Sequence, residues 1–245
     1  MKILLDNGHG IEAKGKRSPE GRLLEYVQNR LLARGIVDGL TARGLDAALL
    51  IPEPTDIHLP ERCRRVNEWC RQLGKDNILL ISIHCNAAGR GDRWLTARGW
   101  CAYTTRGNTR ADALATCLYQ AAQATLPGHR LRTDYTDADP ELEKDFYLLR
   151  HTLAPAILVE NLFMDNPTDC AFLLSEDGQQ SLVDLHVDVI TASSPPSNAE
   201  CPAPPSILAL LSTFVHHVYR VHSVGNICNA WSIPLGQSSP AGRRG

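Results

Sequence analysis

Three short runs of aliphatic residues stand out in this chain, and each one ends on polar residues. They cover residues 2–5, 78–83 and 156–159. Continuous apolar runs of this length, bounded by turn residues, are typical of strands that are buried on both faces. Stretches with the spacing of amphipathic helices lie between them. The pattern therefore predicts an α/β protein with a mostly parallel sheet and helices on both faces.

The rest of the pattern adds further elements. Helical periodicity covers residues 23–43, 60–73, 109–125 and 179–190, and apolar segments at 46–51 and 99–103 predict two more strands. In a parallel sheet, ligands bind just outside the carboxyl ends of the strands, so we expect the active site at that edge.

An acidic segment over residues 133–145 shows neither the helical nor the strand period. We interpret it as a solvated loop, with a lid over the cleft as the alternative. Its acidic residues are Asp134, Asp137, Asp139, Glu141 and Glu143.

The composition changes abruptly near Ser193. Residues 193–205 are rich in Pro and Ser, and residues 201–245 contain no Asp or Glu. We expect a catalytic domain over residues 1–192, followed by a linker and tail over 193–245 that is disordered or weakly docked. The apolar stretch at 207–215 is shorter than the roughly 20 residues that a membrane-spanning helix needs. No membrane span is therefore expected.

Composition and charge exclude some classes of protein. The 245 residues carry a formal net charge of -2, which gives no electrostatic reason to expect a nucleic acid as partner. The eight cysteines include no CxxC pair, which disfavours a zinc knuckle and favours reduced thiols. The chain enters its first predicted strand without a secretory signal, so we expect synthesis in the cytoplasm. The sequence leaves the oligomeric state open.

Two histidines follow directly on predicted strands. His9 lies in a glycine-flanked turn after the first aliphatic run, and His84 follows the second. Because both strand ends lie at one edge of a parallel sheet, these side chains form a candidate metal site. Glu25, in the first turn of the first helix, is best placed to be a third ligand. Two alternatives stay open: a pair of structural histidines, and a helix N-terminal acid stabilised by the macrodipole.

Glu160 follows the third aliphatic run. An ionised carboxylate at the end of an apolar strand is costly unless it is paired or faces a polar cleft. The position suits a general base that takes a proton from metal-bound water. The alternative is a strand-end acid whose carboxylate is capped by the following loop.

Four motifs, at residues 6–10, 59–67, 82–87 and 159–166, carry a resemblance to a known enzyme family. They resemble, in the same order, the motifs D-x-G-H-G, L-x-x-R…A-N, S-I-H-x-N-A and V-E-x-G-F-x-x-N. The family is that of the zinc-dependent N-acetylmuramoyl-L-alanine amidases often called amidase 3, and the resemblance covers residues 1–192. Glu25 falls where the family's helix glutamate ligand stands.

The resemblance implies one Zn²⁺ ion bound by His9, Glu25 and His84, with Glu160 as the catalytic base. It also implies the reaction, which is hydrolysis of the amide bond between the lactyl group of N-acetylmuramic acid and the L-alanine of the stem peptide. The substrate would be peptidoglycan or a muropeptide.

Two further motif residues, Asn86 and Arg62, are candidate substrate-binding residues. The chain departs from the family pattern at Asn7, Ile11 and Leu162, where proline, glycine and glycine are common. The last of these lies close to the expected base, so it bears on the fit of the substrate more than on metal binding.

Two other functions fit the same residues. One is a different zinc hydrolase on the same scaffold, such as a peptidase or a deacetylase. The other is a non-catalytic peptidoglycan-binding module with a structural zinc, which the presence of all four expected residues disfavours. An enzyme without a secretory signal could be a phage-borne lysin that acts on the cell wall, or could act on imported wall fragments. The sequence does not distinguish these routes.

Overall fold

Six strands form one sheet in the part of the chain that the structure describes. The structure is a computed structural model that describes residues 1–107, 109–136 and 138–194. The strands are β1 (Lys2–Asn7), β2 (Asp46–Leu49), β3 (Ile78–Asn86), β4 (Cys101–Thr104), β5 (Leu142–Glu143) and β6 (Ala156–Phe163). The helices are α1 (Glu25–Ala42), α2 (Leu59–Leu73), α3 (Asp112–Thr125), α4 (Tyr147–His151), α5 (Pro167–Leu174) and α6 (Glu176–Ser193). The tail predicted over 193–245 lies outside the described residues beyond residue 194.

The sheet is mostly parallel, as predicted. Its strand order is β2-β1-β3-β6-β4-β5. Strands β2, β1, β3 and β6 are parallel to one another. Strand β4 pairs with β6 in the antiparallel direction, and β5 pairs with β4 in parallel. The central strands β1, β3 and β6 therefore end at the same edge, which is where the candidate site residues of the sequence are found.

Helices cover both faces of the sheet, which confirms the predicted layers. Successive side chains of a strand point to opposite faces. Ile3 and Leu5 of β1 accordingly join one buried apolar cluster, together with residues of α1, α3 and α6. Leu4 joins a second cluster, formed with residues of α2 and α4. The sheet therefore lies between two apolar layers, one on each face.

Three expectations about individual elements are wrong. Glu160 does not end its strand, because β6 continues to Phe163 after a shift of register opposite the end of β3. The acidic segment contains the short strand β5, and Glu141 is 1% exposed instead of solvated. Two short helices, α4 and α5, have no counterpart in the prediction, because eight or fewer residues are too short to show a helical period.

The described cysteines are free thiols, in agreement with the sequence. Five of them are buried and Cys117 is exposed. Cys201 and Cys228 lie outside the described residues. Among the helices that the structure describes, none combines the length and the apolar character that crossing a bilayer requires.

Candidate metal centre

The turn after β1 brings His9 to the edge of the sheet. His9 adopts a left-handed backbone conformation with φ 65°, which histidine enters more readily than most residues. Two arginines hold this turn by donating to the His9 carbonyl oxygen: Arg30 Nη1 at 2.9 Å and Arg62 Nη2 at 3.4 Å. Asn29 Nδ2 donates to the carbonyl oxygen of Gly8 at 3.1 Å. These hydrogen bonds hold the backbone that carries the imidazole of His9. The His9 side chain keeps 25% of its surface exposed.

Glu25 is the first residue of α1 and is buried between the two histidines. Its Oε2 lies 3.3 Å from Nε2 of His9, and its Oε1 lies 3.1 Å from Nδ1 of His84. Oε1 of Glu25 also accepts hydrogen bonds from Asn29 Nδ2 and from the backbone nitrogen of Cys85, each at 3.4 Å. A carboxylate that accepts this many hydrogen bonds remains ionised inside the protein.

The pKa values of the cluster follow from these contacts. Burial alone would raise the pKa of Glu25, but its hydrogen bonds with His84 and His9 outweigh burial and hold that pKa far below its ordinary value. Burial would lower the pKa of His84, yet the hydrogen bond with Glu25 raises it overall. The cluster thus combines one ionised carboxylate with two imidazole rings that are in hydrogen-bond contact with it.

The three predicted ligands meet in space. One ligand atom from each of His9, Glu25 and His84 lies within 4.8 Å of the other two. The two imidazole rings are 5.1 Å apart between centroids and nearly perpendicular, at 86°. Two histidine nitrogens and a carboxylate oxygen are ligands that zinc binds in catalytic sites, where a fourth position is left for water or substrate. The donor set therefore suits a zinc ion.

Glu160 lies on β6 directly beside His84, its partner in the register of the parallel strands. Its Oε2 is buried and has no hydrogen-bond partner among the described residues. Burial raises the pKa of Glu160 to about 7, although the charge of His84 opposes this shift. A carboxylate with a free oxygen and a pKa near neutrality can both accept and release a proton.

Arg62 is not placed to contact a substrate. Its side chain is 3% exposed and donates to Asp6 Oδ1 at 2.6 Å. It also donates to Asp56 and to the carbonyl oxygens of Ile57, Asn7 and His9. The structure thus gives Arg62 a positioning role for the turn that carries His9.

Asn86, the second candidate substrate-binding residue, ends β3 at the rim of the site. It is partly exposed, and its Oδ1 accepts a hydrogen bond from the backbone nitrogen of Ala87 at 2.9 Å. Its role as a substrate ligand stays a prediction.

Sequence reasoning overlooked several residues that support the site. Asp6 accepts hydrogen bonds from Arg62 and from Ser82 Oγ, the latter at 2.6 Å, and so joins β1, β3 and α2 behind the candidate ligands. Asn161 Nδ2 donates to the carbonyl oxygen of His84 at 3.2 Å. Asn29 had a visible signal, because it lies four residues after Glu25 on the same face of a helix.

Comparisons with known proteins agree with this arrangement. The family model described as N-acetylmuramoyl-L-alanine amidase, amidase 3, matches residues 3–192. An endolysin of Bacillus phage SPP1 is 24% identical over 190 residues, which are 77% of this chain and 64% of the endolysin. The chain thus spans less than two thirds of that relative's length.

Solved structures show the same fold. An N-acetylmuramoyl-L-alanine amidase from Clostridium difficile 630 superposes with a TM-score of 0.66 at 24% identity, over 78% of this chain and 95% of that one. The catalytic domain of CwlV, an N-acetylmuramoyl-L-alanine amidase from Bacillus (Paenibacillus) polymyxa, gives 0.61 at 23% identity, over 78% and 97%. A third such amidase, from Nostoc punctiforme, gives 0.62 at 22%, over 78% and 95%.

Proposed function

Because the chain belongs to the amidase 3 family of N-acetylmuramoyl-L-alanine amidases, we propose that it is a zinc-dependent hydrolase of peptidoglycan. The bond cleaved joins the lactyl group of N-acetylmuramic acid to the L-alanine of the stem peptide. The observation that carries the proposal is the group of three ligand atoms from His9, Glu25 and His84 within 4.8 Å, with Glu160 on the neighbouring strand.

In this proposal one zinc ion is held by His9, Glu25 and His84. The single carboxylate of Glu25 leaves a net charge near +1 on the ion and its ligands. When bound, such an ion polarises the scissile carbonyl group and makes a water molecule more acidic. Asn29 and the Cys85 backbone orient Glu25 by their hydrogen bonds, which are the outer contacts that a metal ligand needs to hold its position.

Glu160 acts as the general base. Its unpartnered Oε2 accepts a proton from the attacking water and later delivers it to the amine of L-alanine as the amide bond breaks. The burial that raises the pKa of Glu160 to about 7 supports both steps, because the group exchanges protons readily near neutral pH. A general base contributes about 100-fold to 10,000-fold to a hydrolysis rate.

The proposed reaction also implies a substrate and a place of action. We assign residues 1–192 as the catalytic domain and peptidoglycan or a muropeptide as its substrate. The similarity to a phage endolysin supports action on the bacterial cell wall, as expected of a lysin. Asn86, at the rim of the site, is the candidate contact to the substrate.

The test is the release of new L-alanine amino termini from purified peptidoglycan, with products identified by mass. Glu160→Gln lowers the rate by about 100-fold or more while the protein still binds one zinc ion, measured by elemental mass spectrometry. Glu68→Gln, an exposed glutamate of α2, is the matched control and keeps full activity. A wild-type protein that binds zinc but cleaves a peptide or acetyl bond would be a peptidase or deacetylase. Tight binding to peptidoglycan without any turnover would indicate a binding module.

A further inference from the structure

A second group of acidic side chains lies outside the candidate active site, at the start of α3. Carboxylate oxygens of Asp112, Asp139 and Glu141 lie within 4.8 Å of one another. Asp112 is in the first turn of α3, and the other two residues precede β5. Three carboxylates at this separation repel one another unless a proton or a cation lies between them.

Glu141 is the residue that points to a ligand. It is 1% exposed, and no N–H or hydroxyl donor among the described residues reaches its Oε1. Its Oε2 accepts a long hydrogen bond from Thr116 Oγ1, at 3.4 Å. A buried carboxylate oxygen without such a donor costs free energy that a bound cation would recover. Burial raises the pKa of Glu141 to about 7, with smaller contributions from the charges of Asp139 and Asp112 and from a hydrogen bond between the carboxyl groups of Glu141 and Asp139.

Three of the basic residues near this group in the sequence approach acids outside it. Arg110 binds Asp76, and both Arg106 and Arg150 approach Asp145. Their charges therefore compensate other acids. Among the described residues, Asp112 receives its hydrogen bonds from the backbone nitrogen and the hydroxyl of Thr109, which are neutral donors.

We propose that Asp112, Asp139 and Glu141 bind a hard divalent cation of the calcium type. The ion ties the segment before β5 to the first turn of α3. Each of the three residues contributes a carboxylate oxygen. The hydroxyl of Thr116, on the same face of α3 and one turn after Asp112, is a further oxygen near Glu141.

The ligand chemistry favours calcium over the metals of the catalytic site. Calcium takes 6–8 oxygen ligands in flexible geometry, so three carboxylates, a hydroxyl and water can satisfy it. Magnesium requires a near-ideal octahedron and gives up its water reluctantly. Zinc prefers nitrogen and sulfur, and this group offers neither.

An ion bound at Glu141 would stabilise one edge of the sheet. Glu141 directly precedes Leu142, which pairs with Tyr103 of β4, and β4 in turn pairs with β6. An ion at Glu141 therefore fixes the edge of the sheet on the side that carries Glu160. Its binding is independent of the amidase reaction, so thermal stability and direct ion binding are the appropriate measurements.

The experiment uses the full chain, loaded with zinc and freed of other metals without a chelator. Calcium at about 10 mM raises the melting temperature by about 3 °C or more, in a saturable way. Glu141→Gln abolishes this rise. Glutamine has nearly the shape of protonated glutamate, so the variant keeps the fold. As a direct measurement, Tb³⁺ luminescence excited through the aromatic residues appears on binding and is quenched by added calcium.

Asp134→Asn is the matched control, because Asp134 is an exposed acid of the same segment and the substitution removes the same charge. It retains the calcium response of the wild type. Asp112→Asn is a second variant that loses the response if Glu141→Gln does not fold. The proposal is overturned if the wild type shows neither a stability increase nor Tb³⁺ binding, in which case the acids share a proton only. It is equally overturned if Glu141→Gln responds to calcium as the wild type does.

Discussion

Gly8 and His84 approach so closely that no side chain fits between them. A Cβ atom added to Gly8 would lie 2.2 Å from Cε1 of His84 and 2.4 Å from its Nε2. Position 8 thus belongs to the candidate metal centre, although glycine offers no ligand. The absence of a side chain lets the ring of His84 lie against the backbone that leads to His9.

Gly8→Ala is therefore expected to displace the His84 ring and separate the three ligand atoms. Zinc affinity should fall by about 10-fold to 100-fold, the range seen when groups that orient metal ligands are lost. The measurement is a competition titration with a zinc-binding dye. Gly15→Ala is the control, because a Cβ there meets no atom within 4 Å. Equal zinc affinity in the two variants would show that His84 moves aside without consequence.

Breaking the ion pair between Arg62 and Asp6 is expected to be one of the most destabilising single changes near the site. Both side chains are at most 3% exposed, and removing one partner leaves a buried charge without compensation. Arg62→Met should lower the free energy of unfolding by about 3–5 kcal/mol in urea denaturation.

Arg64→Met provides the comparison on the same helix. Arg64 is 57% exposed and pairs with Glu61 and Glu68 at the surface, where such pairs contribute about 0–1 kcal/mol. Similar losses of stability for the two variants would contradict the role assigned to Arg62.

The sequence was sufficient to predict the layers of the fold and to select four residues that the structure brings close together. His9, His84 and Glu160 each follow an aliphatic run, and parallel strands bring such ends to one edge. Glu25 was identified with less support from spacing, because a helix N-terminal acid has the same pattern. Its place between the histidines depends on how α1 packs, which local sequence does not encode.

The role of Arg62 could not be predicted from its motif. An arginine on a helix looks the same in the sequence whether it binds substrate or an interior carboxylate. Which of the two partners Arg62 binds depends on Asp6, 56 residues away, which comes into contact with Arg62 only once β1 and α2 have packed together. The burial of Glu141 was missed for a related reason, because a short acidic segment shows no apolar pattern.

Leu162 provides a test of backbone conformation beside the base. It is fully buried with φ 66°, a conformation that favours glycine. Leu162→Ala and Leu162→Gly should both destabilise the protein by about 2–5 kcal/mol through loss of packing. The glycine variant should nevertheless be the more stable of the two, by about 1 kcal/mol, since alanine keeps the cost of the left-handed conformation.

The same pair of substitutions at Leu158 should give the opposite order. Leu158 is a buried residue of the same strand, in regular pairing with Ser82. Glycine in a strand is less stable than alanine by about 0.5–1 kcal/mol. If alanine were preferred at both positions, the left-handed conformation at Leu162 would not contribute to stability. Urea denaturation of the four variants measures both differences.

His186 should make the fold sensitive to acid. It is 1% exposed on α6, and burial lowers its pKa from 6.5 to about 4. The unfolded chain therefore binds a proton at a higher pH than the folded chain does, so stability falls as the pH drops from 6.5 toward 4. The loss from this residue approaches about 3 kcal/mol at pH 4.

His186→Leu removes this contribution, whereas His58→Leu, at an exposed histidine, leaves it in place. Other groups that titrate in this range contribute equally to the two variants, because neither substitution changes them. The informative quantity is therefore the difference between the two unfolding free energies, measured in urea at several pH values. It should grow in favour of His186→Leu by about 1.4 kcal/mol for each pH unit below 6.5. A difference that stays constant between pH 7 and pH 4 would show that His186 is protonated as readily in the folded protein as in water.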